Sequence, residues 1–423
     1  MDESVAVSKK QPLEIYGPRT SPKAYAIRDF LYRSDIPFLW VELKSDEEAR
    51  AKAGASGLRD SRLPVVLFPD GTRMEDATLR QISDKLGWFR DPSRQEYDLV
   101  ILGAGPAGLS AAVYGASEGL KTLVIERLVV GGQAGSSSKI ENYLGFPEGI
   151  SGMDLAKRAR DQASRFGAEI LQLREGVRAE FHPGKGIGYL ADGTKVVMHA
   201  GICASGVQYR RLGLPNEDQF LGAGIYYGAG ASEAALCVGD HVFVVGGGNS
   251  AGQAAMHFSR YAAKVTMLIR GSGLKETVSQ YLVDRIMASP RIEILTHREV
   301  IELHGDEVLR AITVINNQTG DREMFETSWV FLCLGGVPHT EWAAEAGIIR
   351  DQEQYLVTGP DLKKFGLTRE KWPLDREPYY LETSQPGLFA AGDVRHGSVK
   401  RCAAAVGDGA MAVTFAYRYL SNH

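Results

Sequence analysis

The chain has 423 residues, 44% hydrophobic and 24% charged, the balance of an ordinary globular protein with room for two or three domains. A net charge of -4 offers no basic footprint for nucleic acid or an anionic membrane, and no apolar run approaches the ~18 residues of a membrane span. The opening MDESVAVSKKQPLEIYG lacks the apolar stretch of a secretory signal, so a cytoplasmic protein is expected, without membrane or nucleic-acid partners.

In the first 90 residues, LEIYG reads as a strand, SPKAYAIRDFLYRSDI as an amphipathic helix and PFLWVEL as a second strand. LPVVLF and TRMED then flank the turn PDG, and ATLRQISDKLGW closes as a helix. This order resembles a glutaredoxin module of thioredoxin-like fold. The resemblance implies a C-x-x-C at the start of the first helix, where the helix N-terminus lowers a thiol pKa. Here that place reads Ser21-Pro22-Lys23-Ala24, with Ser21 a natural helix cap and Pro64 matching the family's cis-proline. A docking or dimerisation role is therefore expected in place of thiol exchange.

After the polar linker FRDPSRQEY, the run YDLVILGAGPAGLSAAVYGASEGLKTLVIER reads as strand, glycine turn, helix and second strand. Gly103 makes the tight turn, Gly105 lets the backbone approach a pyrophosphate, and Gly108 lets the helix pack on the strand, with Pro106 and Ala107 opening the helix. Glu126 ends the second strand, where an acid bonds ribose hydroxyls. Two more segments, GGQAGSSSKIENYLGFP and GLFAAGDVRHGSVKRCAAAVGDGAMA, resemble FAD-contacting segments of the thioredoxin reductase family. On that resemblance Gly132, Gln133 and Asn142 lie along the flavin ring, and Gly392 and Asp393 form the acidic motif at the ribitol chain. Lys400 and Arg401 replace the family's Arg-Gln and place positive charge near the ring.

DHVFVVGGGNSAGQAAMHFSRYAAKVTMLIRG repeats the plan. Gly246 and Gly248 take the turn, Asn249 and Ser250 open the helix, and Ala251 fills the third small position. Arg270 stands where Glu126 stood, and with Lys275 it keeps two of the three basic positions of the family's NADPH motif, Gly271 having lost the other. The expected cofactors are FAD and NADPH.

The fold expected is α/β, with two Rossmann-like three-layer dinucleotide-binding domains and the N-terminal thioredoxin-like domain. The boundaries are 1–92 for the thioredoxin-like domain, 93–210 and 337–423 for the two parts of the FAD domain, and 211–336 for the NADPH domain. In thioredoxin reductases a C-x-x-C just before the first NADPH-domain strand passes electrons to thioredoxin. Here Gly228 and Ala231 occupy those positions, in a register uncertain by one, and no cysteine lies between Gly206 and Leu236. The four cysteines, Cys203, Cys237, Cys333 and Cys402, are too scattered for a disulfide framework or zinc knuckle, and no metal is expected.

The resulting expectation is a homodimeric flavoprotein oxidoreductase that passes electrons from NADPH through FAD directly to a small-molecule or protein acceptor. Two other readings stay open. One is a non-catalytic FAD-binding sensor, and the other a disulfide reductase using distant cysteines such as Cys237 and Cys402.

Overall fold

The computed structural model describes residues 12–228, 233–275 and 277–422. At the N-terminus, β1 (Leu13–Gly17), α1 (Pro22–Arg33), β2 (Phe38–Glu42), α2 (Asp46–Ala53), β3 (Val65–Leu67), β4 (Arg73–Met74) and α3 (Leu79–Lys85) build a four-stranded sheet in the order β2-β1-β3-β4. β1 runs parallel to β2 and antiparallel to β3, and the Leu63–Pro64 bond is cis. Ser21 caps α1 by accepting from the Ala24 amide at 3.1 Å, and the helix buries Ile27, Phe30 and Leu31 against Leu13, Ile15 and Val66.

Helix α2 was not foreseen from the sequence. It buries only Ala49 and Ala53, so no apolar stripe announces it, and it is specified by its ends. Ser45 caps it, three acids fill its first turn, and Gly54 closes it in the left-handed region.

The next stretch contains β5 (Glu96–Leu102), α4 (Pro106–Ser117), β6 (Thr122–Ile125), α5 (Gly152–Arg165), β7 (Glu169–Leu171), β8 (Gly176–His182), β9 (Lys185–Leu190) and β10 (Lys195–Cys203). β7, β6, β5 and β10 are mutually parallel, and β9 and β8 extend the sheet antiparallel. The run LVIL in β5 is almost wholly buried, as a parallel strand covered on both faces must be.

The chain then leaves by β11 (Val207–Tyr209) and forms β12 (Ile225–Tyr227), β13 (His241–Val245), α6 (Asn249–Phe258), β14 (Lys264–Ile269), α7 (Gln280–Ala288), β15 (Ile292–Thr296), β16 (Arg298–Gly305), β17 (Leu309–Asn316), β18 (Arg322–Glu326) and β19 (Val330–Leu332). Five of these strands make a parallel sheet in the order β12-β19-β13-β14-β15, and β16-β17-β18 form an antiparallel sheet beside it. The chain returns by β20 (Gly336–Pro338), α8 (Glu341–Glu345), β21 (Leu388–Ala390), which joins β10, and α9 (Cys402–Ser421). The outward and return strands β11 and β20 pair with each other as an antiparallel ribbon. Among the described residues, no helix is long and apolar enough to cross a membrane, and no His, Cys, Asp and Glu cluster is arranged to hold a metal ion.

Candidate dinucleotide sites and the dithiol position

The first glycine turn joins β5 to α4. Gly103 has φ +103°, and a Cβ there would overlap the Ala204 carbonyl oxygen, so only glycine fits. A Cβ on Gly108 would collide with the Gly103 carbonyl, which brings the helix directly onto the turn. Gly105 is the N-cap of α4 and supplies no side-chain cap, leaving the first helical N–H groups open toward a phosphate. The backbone at Gly132 closes the opposite side, where an added Cβ would lie 3.0 Å from the Gly105 Cα. Glu126 sits at the mouth, accepting from the Ala104 amide at 2.8 Å and the Leu128 amide at 2.9 Å.

The C-terminal segment comes to the same turn. A Cβ on Gly392 would lie 2.9 Å from the Ala107 Cβ, and the Gly392 amide donates to Asp408 at 3.1 Å. Asp393 follows, its carboxyl pushed up by burial and held down by Lys400. The Lys400 ammonium donates to the Asp393 carbonyl at 2.5 Å and to Ser398 Oγ at 2.7 Å, and lies 4.1 Å from the Tyr355 ring. Gln133 donates to the Val207 carbonyl at 2.6 Å, whereas Asn142 and Arg401 are exposed, Arg401 at the N-cap of α9. The fold thus gathers Gly103, Gly105, Pro106, Ala107, Gly108, Glu126, Gly132, Gly392 and Asp393 about one turn.

The second turn joins β13 to α6. A Cβ on Gly246 would overlap the Cys333 carbonyl oxygen, but at Gly248, again an N-cap without a side-chain cap, it would meet nothing within 4 Å. Asn249 accepts from the Ser279 amide at 2.9 Å, Ser250 is exposed, and Ala251 is fully buried against the sheet. Arg270 and Lys275 are exposed beyond the end of β14 and join no ion pair among the described residues, so both charges stand free for an anionic ligand.

The open, uncapped helix starts beside close-approach glycines fit two dinucleotides, one per turn. Such a start presents several unpartnered N–H donors and the positive end of the helix dipole.

Gly228, one of the two positions expected for the dithiol, follows directly on β12 and has φ +82°. A Cβ there would collide with the Tyr209 hydroxyl, which stacks on Tyr227 at 5.9 Å and lies 3.2 Å from Ser136 Oγ in the segment following Gln133. Ala231 lies outside the described residues. Tyr226 is buried against Trp329 and Phe331 at 5.5 and 5.1 Å, so it serves the core. The Cys237 thiol lies in the same core and donates to the Glu233 carbonyl at 3.3 Å, with its pKa pushed far up by burial. Burial also pushes Cys333 up to about 12 and Cys402 up to about 11, and raises Cys203. Burial thus disfavours the thiolate at all four. Tyr209 was missed from the sequence, where it is one aromatic in a short strand with no motif around it.

Residues 97–409 match the family profile described as pyridine nucleotide-disulphide oxidoreductase. The chain belongs to that family. Thioredoxin reductase of Bacillus subtilis is 33% identical over 328 residues, covering 77% of this chain and 95% of its own length. That of Listeria monocytogenes is 34% identical, covering 77% and 94%. Among solved structures, thioredoxin reductase of Lactococcus lactis in its FR conformation has a TM-score of 0.69 at 28% identity, covering 77% of this chain and all of its own. That of T. acidophilum has a TM-score of 0.68 at 30% identity, with 77% and 99% covered. As a thioredoxin reductase-like member, the chain is an FAD-dependent oxidoreductase of a family that uses FAD and NADPH. The family match begins after the N-terminal sheet.

Proposed function

We propose that residues 1–92 are a thioredoxin-like module, that 93–210 and 337–423 hold FAD, and that 211–336 hold NADPH. A bound flavin would supply hydride acceptance from NADPH and two-electron transfer to an acceptor, with no internal dithiol needed. The chain's own residues position the cofactors. The amides at the start of α4 hold the FAD pyrophosphate, Glu126 accepts from a ribose, Asp393 holds the ribitol chain, and Lys400 and Arg401 add positive charge beside the ring segment of Gly132, Gln133 and Asn142. At the second turn the amides of Asn249 and Ser250 hold the other pyrophosphate, and Arg270 with Lys275 pairs with the 2′-phosphate.

The observation that carries the direct route is at Gly228. Its positive φ and the Tyr209 hydroxyl together leave no place for a cysteine side chain in the present arrangement. In this reading the acceptor is a small molecule or a protein, and the family resemblance makes a cytoplasmic homodimer the expected assembly.

Anaerobic mixing with NADPH tests the reading. The yellow absorbance should bleach and return as an acceptor is added, with unchanged turnover in Cys237→Ser and Cys402→Ser variants. No bleaching by NADPH or NADH sinks the enzyme reading, and turnover abolished by either cysteine change sinks the dithiol-free route.

A further inference from the structure

Helix α1 touches both nucleotide-binding units. At its first turn, where the glutaredoxin pattern would put its thiols, Tyr25 packs edge-on against Tyr226 with ring centroids 5.3 Å apart. Just before the helix, the Arg19 guanidinium lies 4.0 Å from the Trp329 ring. One turn along, Arg28 faces Glu233 at 3.8 Å across the seam, the two side chains being 4% and 0% exposed. Tyr226 and Glu233 bracket the position where the reductases carry their own thiols. The contact is close enough to need a glycine, since a Cβ on Gly222 would lie 2.8 Å from the Tyr25 Cβ.

The far end of α1 grips the first unit. Arg33 donates to the Gly132 carbonyl at 2.8 Å, and Asp35, just past the helix, pairs with Lys157. Val129, only three residues before Gly132, is part of the N-terminal core itself, packed with Ile15, Phe30 and Leu31. The gap left at this seam, beside Arg33, Trp88, Val129 and Lys157, has a volume of only about 10 Å³.

Resting on the domain reading above, we propose that the N-terminal module is a resident partner. It fills the face of the NADPH-binding unit at Gly222, Tyr226, Glu233 and Trp329, which an external disulfide protein would need, and its helix ties that unit to the flavin-ring segment at Gly132. The first turn of α1, where the glutaredoxin pattern would put its thiols, thus lies against Tyr226, two residues before Gly228. A module whose first helix turn approaches a reductase's dithiol segment has the geometry of an acceptor docking on its reductase, made permanent here by a covalent link and a buried ion pair.

Without such a bridge, the β11–β20 ribbon is where the chain passes between the units. Gly206 and Gly335 flank it at φ +64° and +79°, with open space around each, which gives the ribbon the freedom of a hinge. The docked module opposes that motion from the side.

The test uses the full-length FAD-bound chain and a Tyr25→Ala/Arg28→Ala variant, compared by hydrogen exchange. Residues 222–228 and 131–136 should exchange about tenfold faster or more in the variant, while β5 and β13 keep their protection. Unchanged exchange in 222–228 overturns the proposal.

In case the variant does not fold, a second measurement uses Arg59→Cys/Glu307→Cys. These exposed side chains pair across the same seam at 2.5 Å in the native chain. A short bismaleimide should join them almost completely within one chain, and Arg59→Cys alone should give no such product. Absence of the intrachain cross-link also overturns the proposal. NADPH bleaching, read on the same samples, reports the functional reading separately, because docking is scored without turnover.

Discussion

The two glycine turns share one plan and differ in how tightly they are enclosed. In the first, Gly108 is pressed onto the Gly103 carbonyl, Gly132 closes over Gly105, and Gly392 and Gly409 bring the C-terminal helix against Ala107. In the second, Ala251 occupies the place of Gly108 and is simply buried, while Gly248 faces open space. Segments distant in sequence surround the first turn, whereas the second is closed by Cys333 at Gly246 and by residues 277–279 but left open at Gly248. A cradle assembled from three parts of the chain suits a group that stays bound through turnover. An open turn beside free positive charge suits a nucleotide that must enter and leave at each cycle.

Adding one methyl at the tight turn is the severest way to break this contrast. Gly108→Ala forces α4 off its strand and should cost about 4 kcal/mol, read as a colourless protein with a much lower melting temperature. A melting point and FAD content like those of the native chain would erase the distinction between the turns. Next in size, Arg270→Ala should raise the Kd for NADPH about tenfold, near 1.4 kcal/mol, and leave that for NADH unchanged. Equal losses for both nucleotides would remove the 2′-phosphate from the reading of the second turn.

The reverse change at the second turn, Ala251→Gly, should cost about 1 kcal/mol in chemical denaturation, since that helix start already tolerates a side chain. Smallest is Gly248→Ala, where space is free and φ is -101°, so about 0.5 kcal/mol is expected from the weaker cap alone. A larger loss there would mean that the second turn is as confined as the first.

The turns were legible in the sequence because the pattern that marks them is local, although what presses on their glycines is not. A buried strand, glycines at set spacing and a charged residue at the end of the next strand can be read within thirty positions. Gly392 is further away in the chain, yet its Gly-Asp motif and helical continuation marked the segment that reaches Ala107. Helix α2 was not legible, because caps rather than an apolar stripe define it. Tyr209 and the Arg28–Glu233 pair were out of reach for another reason. Their meaning depends on which strand ends the fold sets side by side, and Arg28 and Glu233 lie in different sheets' units with most of the first nucleotide site between them in the chain. That no C-x-x-C stands before β13 was plain in the sequence, but not that the Tyr209 hydroxyl lies against Gly228.

The ribbon of β11 and β20 has a consequence for how such a protein can be assembled over time. Because departure and return run side by side, the host chain is interrupted at a single doorway about 5 Å wide, the spacing of paired strands. A whole nucleotide unit attached through one such doorway can be gained, exchanged or deleted by splicing at that point, and the strand order of its host stays as it was.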